Sequence, residues 1–367
     1  MYFIYKHRDW PNFVWDNEAL LNKLAEVRNM QGKIMGRMQS LGFDLRNEAV
    51  LDTLSLDIIK SNEIEGVYLN AEQVRSSVAR RLGIEIAGAL ASDRNVDGVV
   101  DMMLDATQRY NQPVTEDRLF GWHSALFPEG RSGMYKITVA CWRTDSTGPM
   151  QVVSGAMGHE KVHYQAPDSF FVAREMAQFI HWFNHENKID PVIKAAIAHL
   201  WFVTIHPFDD GNGRIARALT DMLLARSDNS PQRFYSMSAQ IRIERKQYYE
   251  ILERTQKGSL DITHWLLWFL NSMLNALKTT EITLSKILYK AEFWNKHLHT
   301  VINERQRSML NKLLDGFDGK LTTSKWAKIT KCSPDTSLRD IQDLIHKGIL
   351  QKAAAGRSTN YELCELQ

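Results

Sequence analysis

The segment DPVIKAAIAHLWFVTI, Asp190 to Ile205, constrains the fold more than any other stretch of the chain. Ile193, Ala196, Ile197, Leu200, Trp201 and Val203 leave little polar surface on a helix. A helix that is apolar all round has to be surrounded by other elements. Asp190 stands in the N-cap position and Pro191 at the first helical position, where a missing N–H is no loss. The chain therefore reads as a helical body around a buried central helix, and its 367 residues leave room for two or three domains.

Other segments carry the same 3.6-residue period. In NEAVLDTLSLDIIKSNEIEG, the residues Leu51, Leu54, Ile58 and Ile59 share a helical spacing and Gly66 is the stop signal. GRIARALTDMLLAR reads as a further helix, and DITHWLLWFLNSMLNALKTTEITLSKIL as one long helix or two. The exception lies between residues 133 and 166, in YKITVACW and MQVVSGAMGHEKVHYQAP. There β-branched and polar residues alternate between Gly and Pro, which predicts one or two hairpins inserted in the helical body.

Composition excludes several function classes. With 45 basic and 43 acidic residues the net charge is +2, so no bulk field points to nucleic acid or membrane. Cys141, Cys332 and Cys364 are scattered and form no CxxC pair, which argues against a disulfide framework or a zinc site and fits a reducing cytoplasm. No apolar run approaches the ~20 residues needed to cross a bilayer. The opening MYFIYKHRDWPNF lacks the apolar core of a secretory signal, so a cytoplasmic location without membrane contact is expected.

The chemistry concentrates in HPFDDGNGRIAR, residues 206 to 217. The buried helix should end near His206, where Pro207 stops it and Phe208 can anchor the loop. A new helix should start near Gly213, with first-turn N–H groups that have no intrahelical partner. Glycines flanking Asn212 let an anion approach the backbone, and a helix start of this kind is an anion site. Arg214 and Arg217 are three apart and share one side of the first turn, which suits a di- or triphosphate. Asp210 beside phosphates calls for a hard cation between them. His206 is then placed as a general base. An ordinary D-G-N-G turn beside a structural histidine accounts for the same residues, and spacing alone does not separate the two.

The stretch matches the pattern H-x-F-x-[DE]-G-N-G-R-x-x-R at every defined position: His206, Phe208, Asp210, Gly211, Asn212, Gly213, Arg214 and Arg217. The chain thereby resembles the Fic (Fido) family over roughly residues 50 to 275. The resemblance implies a mainly α fold, with a Fic-type helical core and a small inserted β-hairpin flap. It also implies an enzyme that transfers AMP from ATP to a Ser, Thr or Tyr hydroxyl of a target protein, releasing pyrophosphate. His206 would deprotonate the hydroxyl, and Asp210 would hold Mg²⁺ (or Mn²⁺) on the phosphates. Gly211, Asn212 and Gly213 would form the anion hole, Arg214 would bind phosphate and Arg217 would orient the γ-phosphate. RKQYYEILERTQKGSLDITHW resembles the family's adenine-side helix, so Tyr248 and Tyr249 would line the nucleotide pocket. Gln256 stands there where the family often has Asn. Core packing accounts for the tyrosines equally well. The flap region with Val152, Val153, Val162, His163 and Tyr164 would pair with an extended target segment as an added strand; stability of a small subdomain is the other reading.

SNEIEG places Ser61 and Glu65 four apart on one helix face, ended by Gly66. On its own such a pair is ordinary surface. It also matches the inhibitory motif [ST]-x-x-x-E-[GN] of family members whose inhibitory helix, here about residues 50 to 66, precedes the core in the same chain. The resemblance implies that Glu65 pairs with Arg217 and restrains the enzyme, and that auto-AMPylation accompanies release. Hydrolytic removal of AMP by the same site, with Glu65 positioning water, is the alternative within the class. A phosphoryl- or phosphocholine-transferring relative fits less well because the whole G-N-G-R motif is present. From another class, a DNA-binding regulator with a nucleotide-sensing core is the alternative.

The two ends of the chain frame the core. Residues 1 to 45 form a Trp-rich module whose Trp10, Phe13 and Trp15 are expected to pack onto the core of residues 46 to 280. A linker helix at 281 to 305 should lead to a winged-helix-like domain at 306 to 367. There Trp326 and Ile329 mark a short helix, Ser333-Pro334 opens a second with Leu338, Ile341, Leu344 and Ile345, and two short strands flank a Gly-Arg turn. Asp335, Asp340 and Asp343 on the second helix make it a poor phosphate-binding surface. Protein contact, including a homodimer, fits it at least as well as DNA.

Overall fold

The computed structural model describes residues 2–39, 41–86, 88–146, 148–154, 161–314, 317, 319–353 and 359–364. The chain divides into two compact units, Met1–Thr280 and Glu281–Gln367. The first unit opens with a 3₁₀ turn, Ile4–Lys6, followed by α1 (Asn17–Gln39), α2 (Phe43–Ile64), α3 (Ala71–Leu82), α4 (Arg94–Gln108) and α5 (Glu116–Leu126). Two small hairpins come next, β1 (Arg131–Ser132) with β2 (Tyr135–Lys136) and β3 (Gln151–Ser154) with β4 (Lys161–Gln165). Then follow α6 (Ser169–His185), α7 (Pro191–Ile205), α8 (Asn212–Asp228), α9 (Met237–Ile243), α10 (Arg245–Gln256) and α11 (Thr263–Lys296). The fold is mainly α, as expected.

α7 lies at the centre, packed along α8 and against α6. Asp190 caps it, accepting the N–H of Val192 at 2.8 Å, and Pro191 fills the first position. Every residue from Val192 to Ile205 is buried. The one charge among them, Lys194, turns its ammonium back to the C-terminal end of α6 and donates to the carbonyls of Phe183 (2.7 Å) and Glu186 (2.5 Å). Those carbonyls lack helical partners, so a cation there complements the helix dipole. Trp201 is covered by Trp10 and Phe13, whose rings meet it at centroid distances of 6.2 and 5.9 Å. Trp15 does not join them: its indole N–H donates to Asn17 at the start of α1.

Several expected boundaries move. α2 starts at Phe43, so a division at residue 45 falls inside its first turn. The helical period was visible only from Leu51, because the preceding turn carries few apolar residues. In YKITVACW only Tyr135–Lys136 is strand. From Ile137 to Trp142 the main chain bonds elsewhere, Ile137 N–H to the Gly130 carbonyl at 3.1 Å, Thr138 N–H to Asp209 in the loop after α7 at 2.9 Å and Ala140 N–H to His123 at 3.3 Å, and no partner strand runs beside it among the described residues. The segment DITHWLLWFLNSMLNALKTTEITLSKIL forms one helix, α11, from Thr263, and the boundary between the two units, at Thr280, falls within it where the core was expected to end.

The second unit carries the last half of α11, then α12 (Glu304–Leu314), α13 (Thr323–Thr330), α14 (Pro334–His346) and an antiparallel pair, β5 (Leu350–Lys352) with β6 (Tyr361–Leu363). It has its own core of Phe293, Met309, Leu310, Trp326, Ile341 and Leu344. Leu338 is exposed, and Asp340 is held by Arg305 at 2.9 Å. The Gly356-Arg357 turn lies outside the described residues.

The central position of α7 sets a measurable cost. Phe202 is fully buried, so Phe202→Ala should destabilise the first unit by about 3–5 kcal/mol. A lower urea midpoint at unchanged slope would show it; a shift under about 1 kcal/mol would mean the helix is not the packing centre.

Candidate active site

The site is built where α7 turns into α8. α7 ends at His206, whose backbone adopts the left-handed conformation (φ 54°) while its N–H closes on Phe202 O at 3.0 Å. That turn swings the imidazole out of the helix. Its Nδ1 lies 3.2 Å from the Val203 carbonyl. A carbonyl only accepts, so Nδ1 carries the proton and Nε2 keeps a free lone pair. Burial lowers the His206 pKa; the Val203 carbonyl, Glu65 and Asp210 oppose that and Arg143 adds to it.

Phe208 pins the loop into the core, fully buried and stacked on His123 at 4.2 Å. Gly211 has φ +82°, and a Cβ there would lie 2.9 Å from the Phe127 ring, so both backbone and space require glycine. Asn212 spends its side chain on the loop: Oδ1 accepts the Phe208 N–H at 2.9 Å and Nδ2 donates to the Phe208 carbonyl at 2.8 Å. Its amide is therefore a staple, which corrects the expectation that it joins the anion hole; only its main chain remains for that. The first helical bond of α8 runs from Ile215 to Gly211, so the N–H groups of Asn212, Gly213 and Arg214 are the free donors of the helix start.

Glu65 occupies this place. It follows the last residue of α2, and its Oε1 lies 2.1 Å from where a Cβ on Gly213 would stand. The same oxygen accepts from Arg217 Nη2 at 2.7 Å. Arg217 is 1% exposed, and it also donates from Nε to Ser61 Oγ and from Nη2 to the Ser61 carbonyl, both at 2.8 Å. Gly66, with φ +79°, ends the turn. Arg245 holds the end of α2 by donating to the Ile64 carbonyl at 2.9 Å. Two buried guanidinium nitrogens near the helix start, Arg214 Nε and Arg217 Nη1, have no partner. Asp210 is half-exposed, accepts the Gly211 N–H at 2.5 Å and the Ser132 hydroxyl, and lies 3.9 Å from Arg214.

A cavity of about 600 Å³ opens beside His206 and Gly213, within the usual range for small-molecule pockets. Tyr248, Tyr249 and Gln256 line it from α10, and Val152, Val153, His163 and Tyr164 from the flap. Tyr248 is not free: its hydroxyl donates to His199 Nε2 at 2.8 Å, and burial pushes that histidine down to about 3. Gln256 donates to Thr204 Oγ1 at 3.3 Å. Val162 is the one expected flap residue absent from the lining. The reason is a β-bulge: Val152 pairs with Tyr164 and Val153 with Val162, which leaves His163 as the extra residue. A bulge re-aims a side chain, so His163 faces the cavity together with Tyr164. Its Nδ1 meets Glu253 at 2.6 Å and its Nε2 meets Ser154 Oγ at 2.5 Å.

Three positioning residues carried no sequence signal. Arg143, buried, donates from Nε to the His206 carbonyl at 2.8 Å, and its own N–H donates to Pro207 O at 2.8 Å. His123 donates from Nε2 to the Asp210 carbonyl at 3.2 Å and accepts the Ala140 N–H at 3.3 Å; burial lowers it to about 4, so the ring stays neutral. Ser132 holds the Asp210 carboxylate. His123 acts on the loop from α5, and Ser132 and Arg143 from the segment after it; His123 and Arg143 reach main-chain acceptors, which leave no mark in a sequence.

With the loop, its base and its helix start in view, comparison with known proteins becomes specific. Residues 113–224 match the Fic/DOC family. The chain carries a Fic/DOC domain. Residues 3–84 match a domain of unknown function, DUF4172. A protein adenylyltransferase Fic of Drosophila grimshawi is 40% identical over 245 residues, which are 66% of this chain and 39% of that protein. The chain thus spans about two-fifths of the length of the curated relatives it matches. In fold, a Fic family protein from Desulfovibrio desulfuricans G20 matches 96% of this chain and 98% of its own at TM-score 0.55 and 20% identity. A Fic domain containing signaling protein from Bacteroides thetaiotaomicron matches 71% of this chain and 95% of its own at TM-score 0.51 and 21% identity. No helix among the described residues is long and apolar enough to cross a membrane.

The tautomer of the Fic/DOC domain's histidine is open to measurement. In a ¹H–¹⁵N ring spectrum His206 should be the Nδ1–H form and titrate below 6.5. A depressed pKa keeps the base-competent neutral ring below that pH, and protonation removes it only further down. An Nε2–H ring, or a midpoint above 6.5, would overturn this assignment.

Proposed function

We propose that the protein is an adenylyltransferase, moving AMP from ATP to a Ser, Thr or Tyr hydroxyl of a protein, with Glu65 as a built-in restraint. The observation that carries this reading is the set of groups gathered around Gly213. They are the free N–H donors of α8, two unpartnered guanidinium nitrogens, and His206 Nε2 facing the cavity. Buried donors without partners are rare, and an anion with several oxygens satisfies them.

ATP would lie with its base toward Tyr248, Tyr249 and Gln256 and its phosphates over Gly213. His206 Nε2 takes the proton of the acceptor hydroxyl, whose oxygen attacks the α-phosphorus. The new O–P bond forms as the bond to pyrophosphate breaks, and the helix start and Arg214 hold the charge that develops. Asp210 fits a divalent cation: it is a half-exposed carboxylate whose two oxygens are oriented by Gly211 and Ser132, and one carboxylate with phosphate oxygens is an ordinary Mg²⁺ set. Mg²⁺ or Mn²⁺ held there would neutralise phosphate charge. The flap would supply an edge strand to the target, with Val152 and Val153 beside the cavity.

Glu65 opposes all of this in the form described. Its carboxylate lies against Gly213, where phosphate oxygens would have to sit, and it holds the guanidinium meant for the γ-phosphate. Because the same carboxylate also lines the cavity, hydrolysis of an AMP–protein bond with Glu65 orienting water is the second reading. In the second unit, the order α12, α13, α14, β5, β6 supports a winged-helix-like module. Asp340 and Asp343 on α14 are spent on Arg305 and Lys347, and this module is read as a protein contact.

Labelled ATP tests the reading. Glu65→Gly should raise AMP incorporation at least about tenfold, the loss of a hydrogen bond to a charged partner being worth ~1.5–3 kcal/mol. His206→Ala should abolish incorporation in both backgrounds. Equal incorporation by wild type and Glu65→Gly would remove the restraint, and activity surviving His206→Ala would remove the base. Release of AMP from modified protein by wild type but not by Glu65→Gly would favour the hydrolytic reading.

A further inference from the structure

A flap that offers its edge to a target has to be held in place by something else. Among the described residues β3 and β4 form a sheet of two strands, and an isolated hairpin is marginally stable in water. Two bonds tie it to the domain: Tyr164 OH donates to Thr204 O at 2.6 Å, and His163 meets Glu253 at 2.6 Å. The apolar side of the hairpin is covered by residues from the other end of the unit. Phe3, Tyr164 and Ala166 are buried together in a small core of their own, with Tyr5, Met150 and Val152 packed against it. Phe3 meets the Tyr164 ring edge-on at 5.2 Å, and the Tyr5 hydroxyl donates to the Ala166 carbonyl at 3.3 Å.

The same segment then runs on to the turn after α10, the helix that lines the cavity beside the flap. His7 Nε2 lies 3.1 Å from the Gly258 carbonyl, just past the end of α10. Val14 N–H donates to Leu260 O and Ile262 N–H donates to Val14 O, both at 2.9 Å. Residues 2–15 therefore touch both the flap and the turn that ends α10, the helix of Tyr248, Tyr249, Glu253 and Gln256. Between those contacts Trp10 is fixed to Glu175 at 2.8 Å and to the ring of Trp201. One short segment thus touches the flap and the turn that follows α10, and flap and α10 both line the cavity.

We propose that residues 2–15 are a strap that sets the flap against α10, so that the first part of the domain of unknown function belongs to the target-docking machinery. Phe3 and Tyr5 are positioning residues that act through Tyr164, Ala166 and Val152. The proposal rests on the reading of the flap as the target's docking edge. It places the effect of the strap on protein acceptors rather than on ATP, since neither Phe3 nor Tyr5 lines the cavity.

The test uses the full chain, with Phe3→Ala, the volume-keeping Phe3→Leu and the single-hydroxyl change Tyr5→Phe. Hydrogen exchange is followed in peptides covering 150–154, 161–166 and 191–205. Phe3→Ala should speed exchange in the two flap peptides and leave the α7 peptide unchanged, Tyr5→Phe should do so more weakly, and Phe3→Leu should restore much of the protection. In the Glu65→Gly background, AMP incorporation into lysate proteins should fall about tenfold for Phe3→Ala, as expected for misplaced reactants, while ATP affinity stays within about twofold. Unchanged flap exchange, unchanged incorporation, or equal losses of incorporation and ATP affinity would each overturn the strap. If Phe3→Ala does not fold, Tyr5→Phe decides by the same readouts. If Glu65→Gly itself incorporates nothing, the adenylyltransferase reading fails, and the exchange experiment still judges the strap.

Discussion

A helix buried on every side, Val192–Ile205, needs neighbours all round and leaves its chemistry to its ends. At the start Asp190 satisfies the first N–H groups, and Arg28 in turn holds Asp190 at 2.8 Å. At the finish, the left-handed turn at His206 puts a polar ring at the edge of a cavity while Phe208 returns the chain to the core. The antiparallel neighbour α8 then begins with its dipole and free N–H groups beside that ring. His206 and the free N–H groups of α8 are adjacent because the chain turns back along the apolar helix it packs against.

Charge placement follows the same logic. Arg217 sits on the inner face of α8, where a lone cation would be strongly penalised. Ser61 in the last turn of α2 and Glu65 at its C-cap meet it from the facing side. The contact couples α2 to the helix start without completing the demand, since Nη1 of Arg217 and Nε of Arg214 stay unpartnered. Further along, Asp57 of α2 bonds to Ser236 and Ser238 at the start of α9, and Arg233 of the loop before α9 pairs with Asp221 of α8 at 2.9 Å.

The loop of residues 206 to 217 was legible because its chemistry is local. A stop residue, an anchor, glycines and two arginines three apart keep their relation in any helix–loop–helix. The central helix was legible from its lack of a polar face. Harder features depend on geometry between strands or on main-chain partners. Alternation alone puts Val162 and Tyr164 on one face and His163 on the other; one bulge undoes that. Asn212 looks like a donor for an anion, but its amide has a nearer pair of partners on Phe208. Arg143 and His123 hold the loop through carbonyls, and carbonyls are the same in every residue.

What the sequence by itself determined is the mainly α body, the turn after the buried helix and the group of base, glycines and arginines, all set by spacing along one chain segment. The contact of Glu65 with Arg217, which the family resemblance implied, has its geometry from the tertiary structure, since the two lie 152 positions apart and meet through how α2 packs on α8. The tertiary structure also decided which side chains the flap turns inward, and that Phe3 and Tyr5 pack against the flap. Those contacts join parts of the chain that no local period connects, and only the packing of the whole unit brings them together.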